Sequence, residues 1–200
     1  LHDVVSGDFD EDGINDLAFV DDGSLTGVYI FLSNGGEDIE EWQFYPIITS
    51  GQGGTRRLKI GHLDDDNHLD LVVPDSDGNS VYIFKGAGNG DFDMETIDLT
   101  WFGLRNIQLT WTNALDIGDI DNDRDNDIIL LTSGGGILFL ENNGQGSFSL
   151  NNDFSTRRGW GDEIVLYDYS GDGNLDFFYM SGGSLIAFRG AGDGSFTFDQ

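Results

Sequence analysis

Four short acidic segments hold the side chains whose types and spacing point to chemistry. Residues 7–16 read GDFDEDGIND, 61–70 read GHLDDDNHLD, 118–127 read GDIDNDRDND and 167–176 read YDYSGDGNLD. In the first, Asp8, Asp10 and Asp12 stand at positions 1, 3 and 5 of a loop and Asp16 at position 9. Alternate positions of a tight loop turn their side chains toward one centre. Gly13 at position 6 permits the bend, and the carbonyl of Ile14 at position 7 adds an oxygen. The result is an all-oxygen cage. It suits Ca²⁺, which takes about six to eight flexible oxygens, better than Mg²⁺ with its strict octahedron or Zn²⁺ with its preference for nitrogen and sulfur. Two carboxylates ~4 Å apart repel by roughly 1 to 4 kcal/mol at effective dielectrics of about 80 to 20, so three or four converging on one point oppose folding unless a cation joins them. The plainer alternative is a set of solvated acidic turns.

The other loops vary this theme. The third has Asp119, Asp121, Asp123 and Asp127, with Asp125 at position 7 and Arg124 where Gly is expected, which predicts a strained turn. The fourth has Asp168, Ser170, Asp172 and Asp176, with Asn174 at position 7, and carries less charge. The second departs most: His62 replaces the first Asp and Asn67 replaces Gly, leaving Asp64, Asp66 and Asp70 with His68 at position 7. Up to four Ca²⁺ ions are expected, one per loop, with loop 62–70 the weakest. His62 and His68 also raise a transition-metal reading, Zn²⁺ or Ni²⁺, set against exposed histidines without a special role. An EF-hand is excluded, because its position-12 Glu is here Phe19, Val73, Leu130 or Tyr179, each inside an apolar run.

Composition agrees with hard-cation loops. The 37 acidic residues are 30 Asp and 7 Glu, although Glu is the better helix former, and 30 Gly favour turns. A net charge of −28 with 9 basic residues argues against a nucleic-acid partner. A hydrophobic share of 38% is enough for a core, no apolar run reaches the roughly 20 residues of a membrane helix, and the absence of Cys excludes disulfides and thiolate sites.

The elements that position the loops also repeat. Their first positions, residues 8, 62, 119 and 168, are spaced by 54, 57 and 49. Each loop is followed by a short apolar run (17–20, 69–73, 128–131, 175–180), a turn, and a second run (28–32, 81–84, 137–140, 185–188). These runs are too short for helices and rich in β-branched and aromatic residues, so they read as strands. Being almost continuously apolar, they predict strands covered on both faces. Glycine-rich hairpins follow at 33–38, 86–92, 142–148 and 190–196, leading into a more polar outer strand, and a further strand lies upstream of each loop. The picture is an all-β propeller of four-stranded antiparallel blades, approximately residues 1–50, 51–100, 110–155 and 160–200. A β-sandwich is the second choice, since it predicts more alternation.

The repeated loop, strand and hairpin grammar resembles the FG-GAP and VCBS repeat family, most clearly in GDFDEDGINDLAFV, GDIDNDRDNDIILL, YDYSGDGNLDFFYM and GAGDGSF. The resemblance implies the integrin α-like calcium-loop propeller, usually closed by about seven blades, so four blades form either a small closed propeller or part of a larger one. It also implies structural Ca²⁺ and a place on bacterial surface or secreted proteins or integrin heads. Loops of moderate affinity fill where calcium is millimolar, outside the cell. No disulfide and no Asn-x-Ser/Thr sequon fit a bacterial protein better than an animal one.

In such a propeller the calcium loops and glycine hairpins share one end, and the connectors between blades share the other. Connectors 50–57, 100–113 and 155–162 hold Arg56, Arg57, Arg105, Arg157 and Arg158, five of the nine cations, with Trp101, Trp111 and Trp160. Arg and Trp are enriched at interface hot spots, which makes this end a candidate surface for an extracellular protein or glycan ligand. The alternative is that the arginines neutralise nearby Asp and the tryptophans pack between blades. No catalytic constellation is evident. The function expected is a non-catalytic adhesion or interaction module. A carbohydrate-active propeller, lectin or polysaccharide lyase, is the alternative.

Overall fold

The computed structural model describes all residues except 1, 22–25, 37–40, 49–56, 76–78, 103–113, 133–135, 156–160 and 200. The described strands form four antiparallel sheets, each taking its four strands in chain order. The first blade is β1 (Asp3–Gly7), β2 (Asp16–Asp21), β3 (Gly27–Leu32) and β4 (Glu41–Pro46). The second is β5 (Lys59–Gly61), β6 (Asp70–Pro74), β7 (Ser80–Gly86) and β8 (Phe92–Asp98), ending in a 3₁₀ turn at Leu99–Phe102. The third is β9 (Leu115–Gly118), β10 (Asp127–Leu131), β11 (Gly136–Asn142) and β12 (Phe148–Ser155). The fourth is β13 (Gly161–Tyr167), β14 (Asp176–Ser181), β15 (Ser184–Gly190) and β16 (Phe196–Phe198). No α-helix occurs among the described residues.

Strand periodicity explains why the apolar runs are continuous. Successive side chains point to opposite faces of a sheet, so a blade with a neighbour on each side needs apolar residues at every position. In β6, Leu71 and Val73 join a core shared with the first blade, while Val72 faces the third. In β10, Ile128 and Leu130 face the second blade, while Ile129 and Leu131 face the fourth. Every residue of β6 and β10 is buried. Fully burying such a side chain contributes about 1.5 to 3 kcal/mol, so the blade interfaces are the main source of stability. Three separate cores result, one between each successive pair of blades. The first strands line up in chain order, β1 beside β5, β5 beside β9 and β9 beside β13.

The polar outer strand predicted from sequence is seen in β8, which is exposed along Asp93–Thr96. The first blade differs. Its β4 carries Trp42 and Phe44, which join an aromatic layer on this blade's far face, while Tyr45 packs into the core shared with the second blade.

Candidate metal centres

Each acidic loop joins the first strand of a blade to the second, and its ninth residue opens that second strand. Asp16, Asp70, Asp127 and Asp176 are all fully buried. Each uses one carboxylate oxygen to accept the N–H of the apolar residue at loop position 2: Phe9 at 2.8 Å, Leu63 at 2.7 Å, Ile120 at 2.9 Å and Tyr169 at 3.0 Å. The other oxygen accepts an N–H at the end of the third strand, from Ser33 at 2.7 Å, Gly86 at 2.9 Å, Asn142 at 2.8 Å and Gly190 at 2.9 Å. This residue therefore ties three strands of every blade together before any ion is considered. A buried carboxylate without such donors would be costly, and at least two N–H groups per carboxylate offset that cost, with Ser170 adding a third at Asp176 at 3.1 Å.

In loops 8–16 and 119–127 the chain brings three carboxylates together. Asp8, Asp10 and Asp16 can place oxygens within 4.8 Å of one another, and Asp119, Asp121 and Asp127 do the same. Both loops are shaped by the same bonds. Asp8 accepts the N–H groups of Asp12 at 3.1 Å and Gly13 at 3.0 Å, and Asp119 those of Asp123 at 3.1 Å and Arg124 at 3.0 Å. Asp12 and Asp123, expected from sequence as ligands, stand outside these trios, and each gives one oxygen to the N–H two residues on, Ile14 at 2.8 Å and Asp125 at 2.9 Å. Burial raises the Asp10 carboxyl above its ordinary value, with Asp16, Asp12 and Asp8 adding to the effect. Burial likewise raises Asp121, helped by Asp123 and Glu141, and pushes Asp127 up to about 7, helped by Asp121 and Asp123. Carboxylates that resist ionisation side by side are a fit for a divalent cation, which removes both the repulsion and the proton. The donor set is oxygen throughout, as Ca²⁺ requires.

Backbone conformation follows the sequence prediction at position 6. Gly13 and Gly173 have φ of 90°, and Arg124 takes the same left-handed region at 82°, a strained conformation for a side chain with a Cβ. Position 4 is left-handed too, at Glu11, Asn122 and Gly171.

The second loop is closed differently. His62, in the place of the first Asp, donates from Nδ1 to the carbonyl of His68 at 2.7 Å, since a carbonyl only accepts. That carbonyl is the position-7 oxygen expected to face an ion. The His68 ring turns away and meets Glu11 of the first blade at 2.6 Å, a contact that raises its pKa. Asp64 and Asp66 accept the N–H groups two residues on, Asp66 at 3.2 Å and His68 at 2.8 Å, and burial pushes Asp70 up to about 6. In the fourth loop, Asp168 accepts N–H groups from Gly171 at 2.7 Å and Gly173 at 2.9 Å, and Asp172 that of Asn174 at 2.9 Å. Ser170 Oγ reaches Asp168 at 3.4 Å. Among the described residues, neither the second nor the fourth loop forms a three-carboxylate group.

Between the second and third loops lies a cavity of about 220 Å³ with a polar lining that includes His62, Asp65, Asn67, Arg124 and Asp125. Sequence reading missed Asn142 beside it. This buried amide donates to the carbonyls of Leu63 at 2.7 Å and Asn126 at 2.9 Å, pinning the third hairpin to the second loop. The signal was its occupying the place where Gly86 and Gly190 stand in other blades. Equivalent links elsewhere are backbone bonds, Gly90 to the Phe9 carbonyl at 3.0 Å and Gly194 to that of Ile120 at 3.3 Å.

At the connector end, Arg56, Arg105, Trp111, Arg157, Arg158 and Trp160 lie outside the described residues. Arg57 pairs with Glu163 at 3.4 Å beside a cavity of about 210 Å³ lined by β1, β5, β9 and β13 together with Arg57, which fits the neutralising role. Trp101 is exposed on the 3₁₀ turn.

Four four-stranded blades stacked through shared cores define a β-propeller. Residues 119–179, from the third loop into β14, match the FG-GAP-like repeat family, the family that the repeated loop and strand grammar resembles. No curated protein sequence matches it. Among solved structures, it is similar to an Agrocybe aegerita lectin studied for specific recognition of non-reducing terminal N-acetylglucosamine, with a TM-score of 0.67 and 23% identity over 98% of this chain and 50% of the lectin. It is also similar to BBS1N from its complex with ARL6DN, with a TM-score of 0.62 and 16% identity over 97% of this chain and 54% of that one. The chain thus spans about half the length of these structures, and at such identities the likeness shows the fold alone.

Proposed function

We propose that this chain is a calcium-braced propeller module that binds an extracellular protein or glycan and catalyses no reaction. The observation that carries the reading is the pair of carboxylate trios at the same positions of the first and third loops, each built on a buried Asp. Asp8, Asp10 and Asp16 would hold one Ca²⁺, and Asp119, Asp121 and Asp127 another. The ion would supply charge neutralisation and cross-link the first two strands of a blade. An ion that binds the folded state alone stabilises it by about 2.7 kcal/mol at a hundredfold excess over Kd. Millimolar calcium outside the cell would keep such sites filled, which supports a secreted or surface location, and the lack of disulfides and sequons supports a bacterial source. The test is metal analysis of the untreated protein with melting curves in calcium and in chelator. Bound calcium and a melting temperature lowered by chelator support the reading; an indifferent melting temperature removes it.

A lectin is the second reading, favoured by the polar cavity between the second and third loops, whose His, Asn, Arg and Asp groups suit a hydroxyl-rich ligand. A glycan array on the purified chain, followed by a turnover assay on acidic polysaccharides, separates lectin, lyase and protein-binding module.

A further inference from the structure

The third strand of every blade runs to a residue whose N–H is held by the buried ninth Asp: Ser33, Gly86, Asn142 and Gly190. The residue just before it changes from blade to blade, being Leu32, Lys85, Glu141 and Arg189. The change follows the carboxylate trios. The two loops that form a trio belong to the blades with Leu32 and Glu141, and the two in which none is found among the described residues belong to the blades with a cation at this place.

In the second blade that cation lies against the loop. The Lys85 side chain is 25% exposed, and its Nζ pairs with Glu95 at 3.1 Å and donates to the Gln145 carbonyl of the third blade's hairpin at 3.4 Å. A Cβ on Gly146 would stand 2.8 Å from this Nζ and 3.6 Å from Asp64 Cβ, so the ammonium and loop position 3 flank one point of the hairpin. Lys85, Asp64, Asp66 and His68 also line a single cavity of about 500 Å³. The slot recurs in the neighbouring blades. Leu32 fills it against Gly90, and Asp121 Cβ stands 3.8 Å from the corresponding point on Gly194, with Glu141 adding its negative charge to that of Asp121. Arg189 differs, because its Nε lies 3.3 Å from both Asp199 and Tyr169 Oη, which match its charge.

We propose that this side chain sets how much positive charge its loop still requires: Lys85 is a built-in cation that braces the second loop without calcium, and Glu141 tightens calcium binding at the third. The Glu141 half rests on the calcium reading of loops 8–16 and 119–127. The Lys85 half needs no ion. A unit of charge placed beside a partly wet site changes calcium affinity by about tenfold, so the third loop binds more tightly than the first, where Leu32 is neutral.

Two measurements test the two halves. Melting in chelator reads Lys85 with no ion present. Lys85→Leu should lower the melting temperature by about 3 °C, and Glu95→Gln, which removes the ion pair but keeps the ammonium, should lower it less. Adding Asp64→Asn to Lys85→Leu should recover most of the loss, since it removes the carboxylate left without a cation and keeps an oxygen for the Asp66 N–H. A Lys85→Leu protein that melts like the wild type overturns the assignment, and so does a loss that Asp64→Asn fails to recover, which would mark packing over Gly146 instead. Titration calorimetry with calcium reads Glu141, the first loop serving as a control within the same molecule. Glu141→Leu should weaken the tighter site about tenfold and leave the other unchanged, and Leu32→Glu should tighten the first site by a similar factor. Affinities that ignore both substitutions overturn the Glu141 half. A wild type that binds no calcium removes the calcium reading and the Glu141 half together, while the chelator melts still decide Lys85.

Discussion

Asp70 accepts the N–H of Gly86 at 2.9 Å while its second oxygen takes the N–H of Leu63 at 2.7 Å, in a blade whose loop brings no three carboxylates to one point. The ninth loop position is therefore structural in its own right, and its contribution is separable from that of any metal. Replacing Asp70 with Ala leaves two buried donors unpaired, and each such loss costs about 1 to 3 kcal/mol. The expected outcome for Asp70→Ala is a loss of about 2 to 4 kcal/mol in urea unfolding, equal in calcium and in chelator. A loss confined to calcium buffer would mean that Asp70 acts through an ion.

Why the sequence reveals the loops but not this role is a matter of chemistry. A carboxylate accepting two backbone N–H groups and one ligating a cation are the same residue type, so Asp16 and Asp8 look alike in a string of letters. The strands are more legible. In 71–73 and 128–131 every position is apolar because each has a blade on either side. The closure of the second loop by His62 was legible only as a departure from Asp, because the bond runs to a carbonyl, which any residue supplies.

Removing one trio member without disturbing its backbone bonds isolates the metal contribution. Asp10 and Asp121 each take a single N–H, from Asp12 and Asp123, both at 3.2 Å, and Asn retains an oxygen to accept it. Asp10→Asn and Asp121→Asn should each weaken calcium binding about tenfold in titration calorimetry, equivalent to about 1.4 kcal/mol. Their melting temperatures in chelator should exceed that of the wild type, because each variant removes one of three mutually repelling carboxylates.

Arg124 carries a side chain in a conformation suited to Gly, with φ at 82°. Gly relieves strain of about 1 to 3 kcal/mol but loses about 0.5 to 1 kcal/mol to a freer unfolded chain. Arg124→Gly should therefore stabilise the protein by about 1 kcal/mol in denaturant unfolding. No gain would show that the guanidinium makes up for the backbone strain through the polar cavity it lines.

Without metal, stability should fall as pH rises. Burial pushes Asp70 up to about 6 and Asp127 up to about 7, from 3.8, with neighbouring carboxylates adding to the shift. The folded state therefore holds protons that the unfolded state has released, and this stabilisation, present below about pH 4, is lost as pH passes through 6 to 7. The loss is on the order of 3 kcal/mol per group. Unfolding in chelator from about pH 4 to about pH 8 should show declining stability, and Asp127→Asn should flatten the upper part of the decline. Stability that rises over this range would contradict the assignment.

Restoring the missing carboxylate should create a metal site where the structure now uses an imidazole. Asp8 and Asp119 at position 1 organise their loops by accepting N–H groups from positions 5 and 6, and both loops present three carboxylates to one point. His62 instead fills that place and captures the His68 carbonyl. His62→Asp frees the carbonyl and adds an oxygen donor opposite Asp64 and Asp70, while Asn67 at φ 64° already supplies the left-handed turn at position 6. The variant should bind one more calcium than the wild type by titration calorimetry, and its melting temperature should respond more strongly to calcium. In chelator it should be less stable than the wild type, because the new carboxylate repels Asp64 and Asp66 with nothing to offset it. An unchanged stoichiometry would show that the geometry at position 4, left-handed in the other three loops but not at Asp65, decides occupancy instead.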